Sequence, residues 1–199
     1  MVEEQTVELF SGEEKTFSLI ASALGYKTFT VDKNPSFSPS LVADVGDLKA
    51  VQLPEKPLIV WAAPPCRAFA AASAWKSGEP ATPEAEDALD LLGRTITLIA
   101  MTHPTWWFLE TPKSPLRKMP LMAGFNRGYP SRNRHTIKHD EYGGASGRET
   151  DIWTNAFWWL PRPAEASIGE ENSSRRVPPY AIAEILNQLD AYRLAKEDH

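Results

Sequence analysis

The chain has 199 residues, of which 42% are hydrophobic, 10% aromatic and 24% charged, and its formal net charge is −5. This composition excludes a disordered chain, which lacks enough apolar surface to offset the entropy lost on folding, and the length fits one ordinary domain. With a single cysteine no intramolecular disulfide can form, which is typical of a cytoplasmic protein. No apolar run is long enough to span a membrane, and we therefore expect no membrane partner.

Short apolar runs alternate with helical patterns over the first half of the chain. Four strands are predicted where apolar or β-branched runs end at a polar or turn residue: 6–10, 27–31, 58–62 and 106–109. Two helices are predicted where apolar residues recur at helical spacing: 16–24 and 83–102. This alternation predicts an α/β fold with a mostly parallel sheet and helices on both faces.

The second half of the chain is less regular. We expect a basic loop region at about 111–147, a strand over 151–160, a polar connector over 161–174 and a last helix over 178–189. No linker is long enough to separate two domains, and the whole chain is therefore predicted to form one domain.

The stretch from residue 111 to residue 139 is strongly basic. It contains seven Lys or Arg and no Asp or Glu, whereas the rest of the chain has 14 basic and 26 acidic residues. The seven are Lys113, Arg117, Lys118, Arg127, Arg132, Arg134 and Lys138. A basic stretch on an acidic protein predicts a polyanion-binding site, and a solvated loop is the alternative.

Polar or conformationally special residues follow each predicted strand of the first half. They are Ser11-Gly12, Asp32, Pro65-Cys66 and Glu110-Thr111-Pro112. Because the carboxyl ends of parallel strands lie at one edge of the sheet, we expect a functional site along that edge.

Gly12 and Asp32 point to a nucleoside cofactor. Glycine between a strand and a helix lets a ligand approach the backbone, and an acid 20 residues later can accept hydrogen bonds from ribose hydroxyls. The glycine-rich dinucleotide motif is absent and Glu13-Glu14 would repel a pyrophosphate, which favours a ligand without phosphate, such as S-adenosylmethionine. A tight-turn glycine and a surface acid are the alternatives.

Cys66 and Glu110 are the candidates for chemistry. Two prolines precede Cys66 and Arg67 follows it, an arrangement that restrains the backbone and favours a thiolate. A carboxyl at Glu110 could hydrogen-bond a heteroaromatic base. The alternatives are a buried apolar cysteine and an ion pair of Glu110 with Lys113 or Arg117. The histidines have no metal-ligand spacing.

Several segments, in this order, resemble the DNA cytosine-5 methyltransferase family, and in particular its small phage-type members without a large target-recognition domain. The segments are Glu8–Gly12, Val31-Asp32, Asp44-Val45, Ala63–Cys66, Glu110–Pro112, Tyr142-Gly143, Thr150–Asn155 and Val177–Pro179. The resemblance implies a Rossmann-like S-adenosylmethionine-dependent methyltransferase fold and a single catalytic domain, encoded by a prokaryote or by a phage.

The resemblance also implies roles for individual residues. Cys66 would attack C6 of cytosine, and Glu110 would hydrogen-bond the base at N3 and its amino group. The implied cofactor contacts are Phe10 to the adenine, Gly12 to the methionine moiety, Asp32 to the ribose and Asp44 to the adenine amino group, with Ser11 and Pro64 completing that site. The expected nucleic-acid contacts are Arg67, Lys113, Arg117, Arg132 and Arg134.

The chain departs from the family pattern in ways that leave alternatives open. The second glycine of the cofactor turn is missing, Thr111 replaces the usual Asn, and the short interval between Asn155 and Val177 replaces a large recognition region. Target specificity would then be low or supplied by a partner protein. A non-catalytic cofactor- or DNA-binding protein with an accessory or anti-restriction role is one alternative. C5 methylation of a nucleotide or RNA cytosine is the other.

Overall fold

The computed structural model describes residues 4–65, 67–70, 74–76, 79–122, 134–163 and 177–197, and at 67 and 70 it describes the backbone alone. The strands in this part of the chain are β1 (Gln5–Leu9), β2 (Lys27–Asp32), β3 (Leu41–Val42), β4 (Ile59–Ala62), β5 (Trp75–Lys76), β6 (Glu79–Pro80), β7 (Trp106–Pro112), β8 (Arg134–Lys138) and β9 (Glu149–Thr154). The α-helices are α1 (Thr16–Ala23), α2 (Arg67–Ala70), α3 (Pro83–Thr102) and α4 (Pro179–Glu197).

Seven of these strands form one sheet in the order β3-β2-β1-β4-β7-β9-β8. The first five pair in parallel, whereas β9 runs antiparallel to both β7 and β8. A separate two-stranded antiparallel ladder joins β5 to β6. The predicted α/β fold with a mostly parallel sheet is therefore confirmed.

Helices cover the sheet on both faces. On one face, Phe17 of α1 stacks on Trp61 of β4 with ring centroids 5.2 Å apart, and Ile185 of α4 belongs to the same buried cluster. On the other face, Leu92 of α3 is buried in a cluster with Leu109 of β7. Burial on both faces explains why the central strands read as almost continuous apolar runs.

The second half of the sheet differs from the prediction. Residues 134–138, expected to lie in a loop, form the edge strand β8, and only Ile137 of that strand is buried. The strand predicted over 151–160 is β9 at Glu149–Thr154, and the last helix continues to Glu197. Pairing with β9 stabilises β8, and such tertiary pairing overrides a weak local pattern.

Asn155 explains why the last strand stops early. Its side chain accepts a hydrogen bond from the Trp107 backbone N–H (2.9 Å) and donates one to the Thr105 carbonyl (3.0 Å). These contacts tie the end of β9 to the start of β7.

Within the described ranges, no helix combines the length and apolar character that crossing a bilayer requires.

Candidate active site

The parallel register aligns the carboxyl ends of the central strands. It places four residues opposite one another across the sheet: Val31, Leu9, Ala62 and Leu109. The residues that follow them form the next row at this edge: Asp32, Phe10, Ala63 and Glu110. Since neighbouring strands lie about 4.8 Å apart, the row from Asp32 to Glu110 spans roughly 14 Å. The predicted site residues of four strands therefore share one edge.

The turn after β1 has an unusual backbone. Phe10 has φ 60°, Gly12 has φ 62°, and Lys15, which precedes α1, has φ 43°. A left-handed conformation costs a residue with a side chain about 1–2 kcal/mol. Strain of this kind concentrates at binding and catalytic sites, where the surrounding structure maintains it.

Asp32 connects this turn to the end of β2. Its Oδ2 accepts a hydrogen bond from the Gly12 backbone N–H at 2.8 Å, and its Oδ1 accepts one from the Asn34 backbone N–H at 2.9 Å. Each carboxylate oxygen has a second lone pair, so the partly exposed Asp32 can still accept hydrogen bonds from a ligand. Asp32 thus shapes the turn and remains available to ribose hydroxyls.

Ser11 places a buried hydroxyl in the same turn. The residue is 0% exposed, and its backbone N–H donates to the Val31 carbonyl at 3.0 Å. Its Oγ has no hydrogen-bond partner among the described residues. Buried polar atoms in folded proteins are nearly always hydrogen-bonded, and an orphaned hydroxyl beside a strained turn therefore fits a ligand contact.

Asp44 and Pro64 lie at the same edge. Asp44, exposed and just beyond β3, accepts a hydrogen bond from the Gly46 N–H at 2.9 Å and lies 3.9 Å from the Lys33 ammonium. Pro64 is buried just beyond β4, where the Ala63 N–H donates to the Leu9 carbonyl at 3.4 Å. The structure thus brings the predicted cofactor residues of β1, β2, β3 and β4 to one side of the sheet.

Two of the predicted functional residues cannot be placed. Cys66 and Arg132 lie outside the described residues, and Arg67 begins α2 but its side chain is outside the description. A position of the Cys66 thiol near Glu110 is therefore still a prediction.

Glu110 is 8% exposed near the end of β7. The two cations suggested as its ion-pair partners contact carboxylates of β9 instead. Lys113 lies 2.5 Å from Glu149, and the Arg117 guanidinium makes two hydrogen bonds to Asp151. Antiparallel pairing of β9 with β7 brings these carboxylates alongside β7 and gives both cations partners on β9.

The basic stretch is less positive than its sequence indicates. Lys113, Arg117 and Lys138 pair with Glu149, Asp151 and Glu141 respectively, and the Asp151 hydrogen bonds raise the pKa of Arg117. In the described part of the chain, Lys118 and Arg134 have no carboxylate partner. Arg134 lies over the Trp153 ring, 5.4 Å from its centroid.

Comparison with known proteins identifies the fold. No model of a protein family matches the chain, and no curated protein matches it by sequence. Among solved structures, a protein described as a DNA modification methyltransferase encoded within a prophage of E. coli matches with a TM-score of 0.55 at 16% identity, over 76% of this chain and 46% of that one. TrmN from Thermus thermophilus matches with a TM-score of 0.47 at 15% identity, over 76% and 43%.

The fold is the Rossmann-like fold of methyltransferases. The match covers less than half of the prophage-encoded protein. The Rossmann-like fold that the sequence resemblance implies is confirmed. Phe10, Asp32 and Glu110 lie at the carboxyl edge of the sheet, the edge where such sheets bind ligands.

Proposed function

We propose that the protein is an S-adenosylmethionine-dependent methyltransferase that methylates C5 of cytosine in DNA. One observation carries the proposal: a strained cofactor-type turn after β1, the Asp32 carboxylate and the buried Glu110 carboxyl occupy one row at the carboxyl edge of the sheet. Cys66 follows β4, the strand between β1 and β7. The row thus combines a nucleoside-binding half with a half suited to a base.

The residues at the β1–β4 ends fit the cofactor. Asp32 has free lone pairs for the ribose, Ser11 contributes a hydroxyl without a partner in the described structure, and Asp44 is exposed to accept from the adenine amino group. Phe10, Gly12 and Pro64 complete the proposed pocket. When bound, the cofactor supplies an electrophilic methyl group. The Glu13 and Glu14 side chains are exposed and would disfavour a pyrophosphate, whereas S-adenosylmethionine carries none.

Cys66 and Glu110 would carry the chemistry on the base. The Cys66 thiolate attacks C6, and the new Sγ–C6 bond pushes electron density to C5, which becomes nucleophilic. Glu110 holds the base at N3 and at its amino group. After C5 is methylated, C5 loses its proton and the Sγ–C6 bond breaks, which restores the thiolate. In duplex DNA the base must first be flipped out of the stack, at a cost of a few kcal/mol.

We expect the phosphates of a nucleic acid to be contacted by Lys and Arg side chains that have no carboxylate partner. Arg134 and Lys118 fit this description within the described structure, and Arg67 and Arg132 remain proposed contacts. Arg117 and Lys113 bind carboxylates of β9, which leaves them less available to phosphates. With a short interval between Asn155 and Val177, target specificity would come from a partner protein or would be low. We place this activity in one catalytic domain and in the cytoplasm.

A methyl-transfer assay with a panel of acceptors tests this proposal. The protein is incubated with methyl-labelled S-adenosylmethionine and cytosine-containing duplex DNA, the single strand, RNA or dCMP. We expect label in 5-methylcytosine from duplex DNA after digestion to nucleosides, and none when every cytosine already carries a 5-methyl group. Label on an exocyclic amino group would contradict C5 chemistry. Label found only in RNA or dCMP would identify that molecule, instead of DNA, as the methyl acceptor. Absence of label from every acceptor would favour a non-catalytic binding protein.

A further inference from the structure

Trp153 on β9 contacts the strand that carries Glu110. Its indole Nε1 donates a hydrogen bond to Thr111 Oγ1 at 2.9 Å, and the two residues are 0% and 1% exposed. An indole N–H buried without an acceptor is costly, and this contact therefore favours one arrangement of the two side chains. Thr111 is the residue next to Glu110 in β7.

Further polar contacts hold β9 against its neighbours beside this hydrogen bond. The Asp151 carboxylate is fully buried and accepts hydrogen bonds from Arg117 and from Thr136 Oγ1, the latter at 2.9 Å. Arg134 of β8 covers the Trp153 ring. Asp151 is the register partner of Thr111. The backbone around Glu110 is thus tied to β9 and, through β9, to β8.

The hydrogen bond acts on Glu110 through the backbone. Leu109 and Trp153 pack in the cluster on the α3 face, whereas Phe108 packs in the cluster on the α1 and α4 face. Alternation along a strand therefore places Thr111 on the α3 face and Glu110 on the opposite face. A contact that fixes Thr111 therefore restricts, through the shared backbone, the direction in which the Glu110 side chain points.

We infer that Thr111 and Trp153 are positioning residues that orient Glu110 toward the cytosine base; this inference rests on the proposed function. Glu110 would have to meet N3 and the amino group of the base at the same time, which demands a fixed carboxyl plane. A misplacement of about 1 Å can cost 100-fold in rate. Thr111 would fill this role through its hydroxyl, which accepts the hydrogen bond from Trp153.

The test compares three variants of the full chain in the labelled methyl-transfer assay. Thr111→Val keeps the shape but removes the acceptor, Trp153→Phe removes the donor, and Thr111→Ser keeps the hydroxyl. We expect kcat to fall about 10- to 100-fold in Thr111→Val and Trp153→Phe. KM for S-adenosylmethionine should change by less than about 3-fold, because β7 is not part of the proposed cofactor half, and Thr111→Ser should stay near wild type.

Amide hydrogen exchange provides a readout that does not depend on activity. The Glu110 and Thr111 amides should exchange faster in Thr111→Val than in wild type and be restored in Thr111→Ser. Wild-type kcat and exchange in Thr111→Val, in a folded protein, would overturn the inference. If wild-type protein transfers no methyl group to any acceptor, the proposed function fails instead, and unchanged exchange in Thr111→Val would then refute the positioning contact by itself.

Discussion

Cys66→Ala is expected to abolish methyl transfer while leaving the affinity for S-adenosylmethionine near that of wild type. Without the thiolate no bond to C6 forms, and C5 of cytosine is not nucleophilic enough to take a methyl group. Removing a covalent nucleophile from a comparable machinery costs about 10⁴-fold or more in kcat. The measurement is the initial rate of label transfer to duplex DNA, alongside a cofactor titration of the same protein.

Cys66→Ser is the matched variant, because it keeps the size of the side chain and replaces sulfur with a much weaker nucleophile. It should be as inactive as Cys66→Ala within about tenfold. Methyl transfer at the wild-type rate in Cys66→Ala would remove Cys66 from the mechanism. A loss of cofactor binding in both variants would instead indicate a structural role for this residue.

Arg117→Ala is expected to lower the free energy of unfolding by about 3–5 kcal/mol, the usual cost of leaving a buried charge without its partner. The Asp151 side chain is 0% exposed, and the Arg117 guanidinium, 24% exposed, contacts both of its carboxylate oxygens. Urea denaturation followed by circular dichroism measures the change. Asp151→Asn in the Arg117→Ala background should recover part of the loss, because the buried charge is then gone.

Arg134→Ala is the control for this prediction. Arg134 lies on the same stretch but contacts the Trp153 ring instead of a carboxylate, and the expected loss of stability is about 1 kcal/mol or less. The Arg134→Ala substitution should also weaken DNA binding. It should reduce the magnitude of the slope of log binding constant against log salt concentration by about one. Wild-type stability in Arg117→Ala, or equal losses in both variants, would contradict the assigned role of Asp151.

Local patterns were sufficient for the elements whose signals lie within one segment. The helix Pro83–Thr102 has its predicted bounds because Thr82 caps it by accepting from the Ala85 N–H at 3.2 Å, and His103 ends it in a left-handed conformation. The central strands are recognisable because burial on both faces demands continuous apolar runs. The edge strand β8 was missed because its stability comes from β9, which lies later in the chain.

The functional site, like the fold, could be predicted only where its signals lie within one segment of the chain. Positions at strand ends could be predicted, since parallel pairing brings those ends together, and Phe10, Asp32 and Glu110 indeed share a row. The Arg117–Asp151 and Trp153–Thr111 contacts join residues 34 and 42 positions apart. No periodicity or motif links residues so far apart in the chain. The sequence therefore could not predict that carboxylates of β9 neutralise cations of the basic stretch.

Calorimetric titration of the full chain with S-adenosylmethionine tests most directly whether the carboxyl edge is a cofactor site. The account predicts saturable one-to-one binding that is weakened at least about tenfold, or roughly 1.4 kcal/mol, in Asp32→Ala. Glu55→Ala, which removes an exposed acid before the start of β4 at the opposite edge of the sheet, should bind as wild type does, and circular dichroism confirms that each variant is folded. Absence of binding to folded wild-type protein, or equal affinity in Asp32→Ala, would contradict the account.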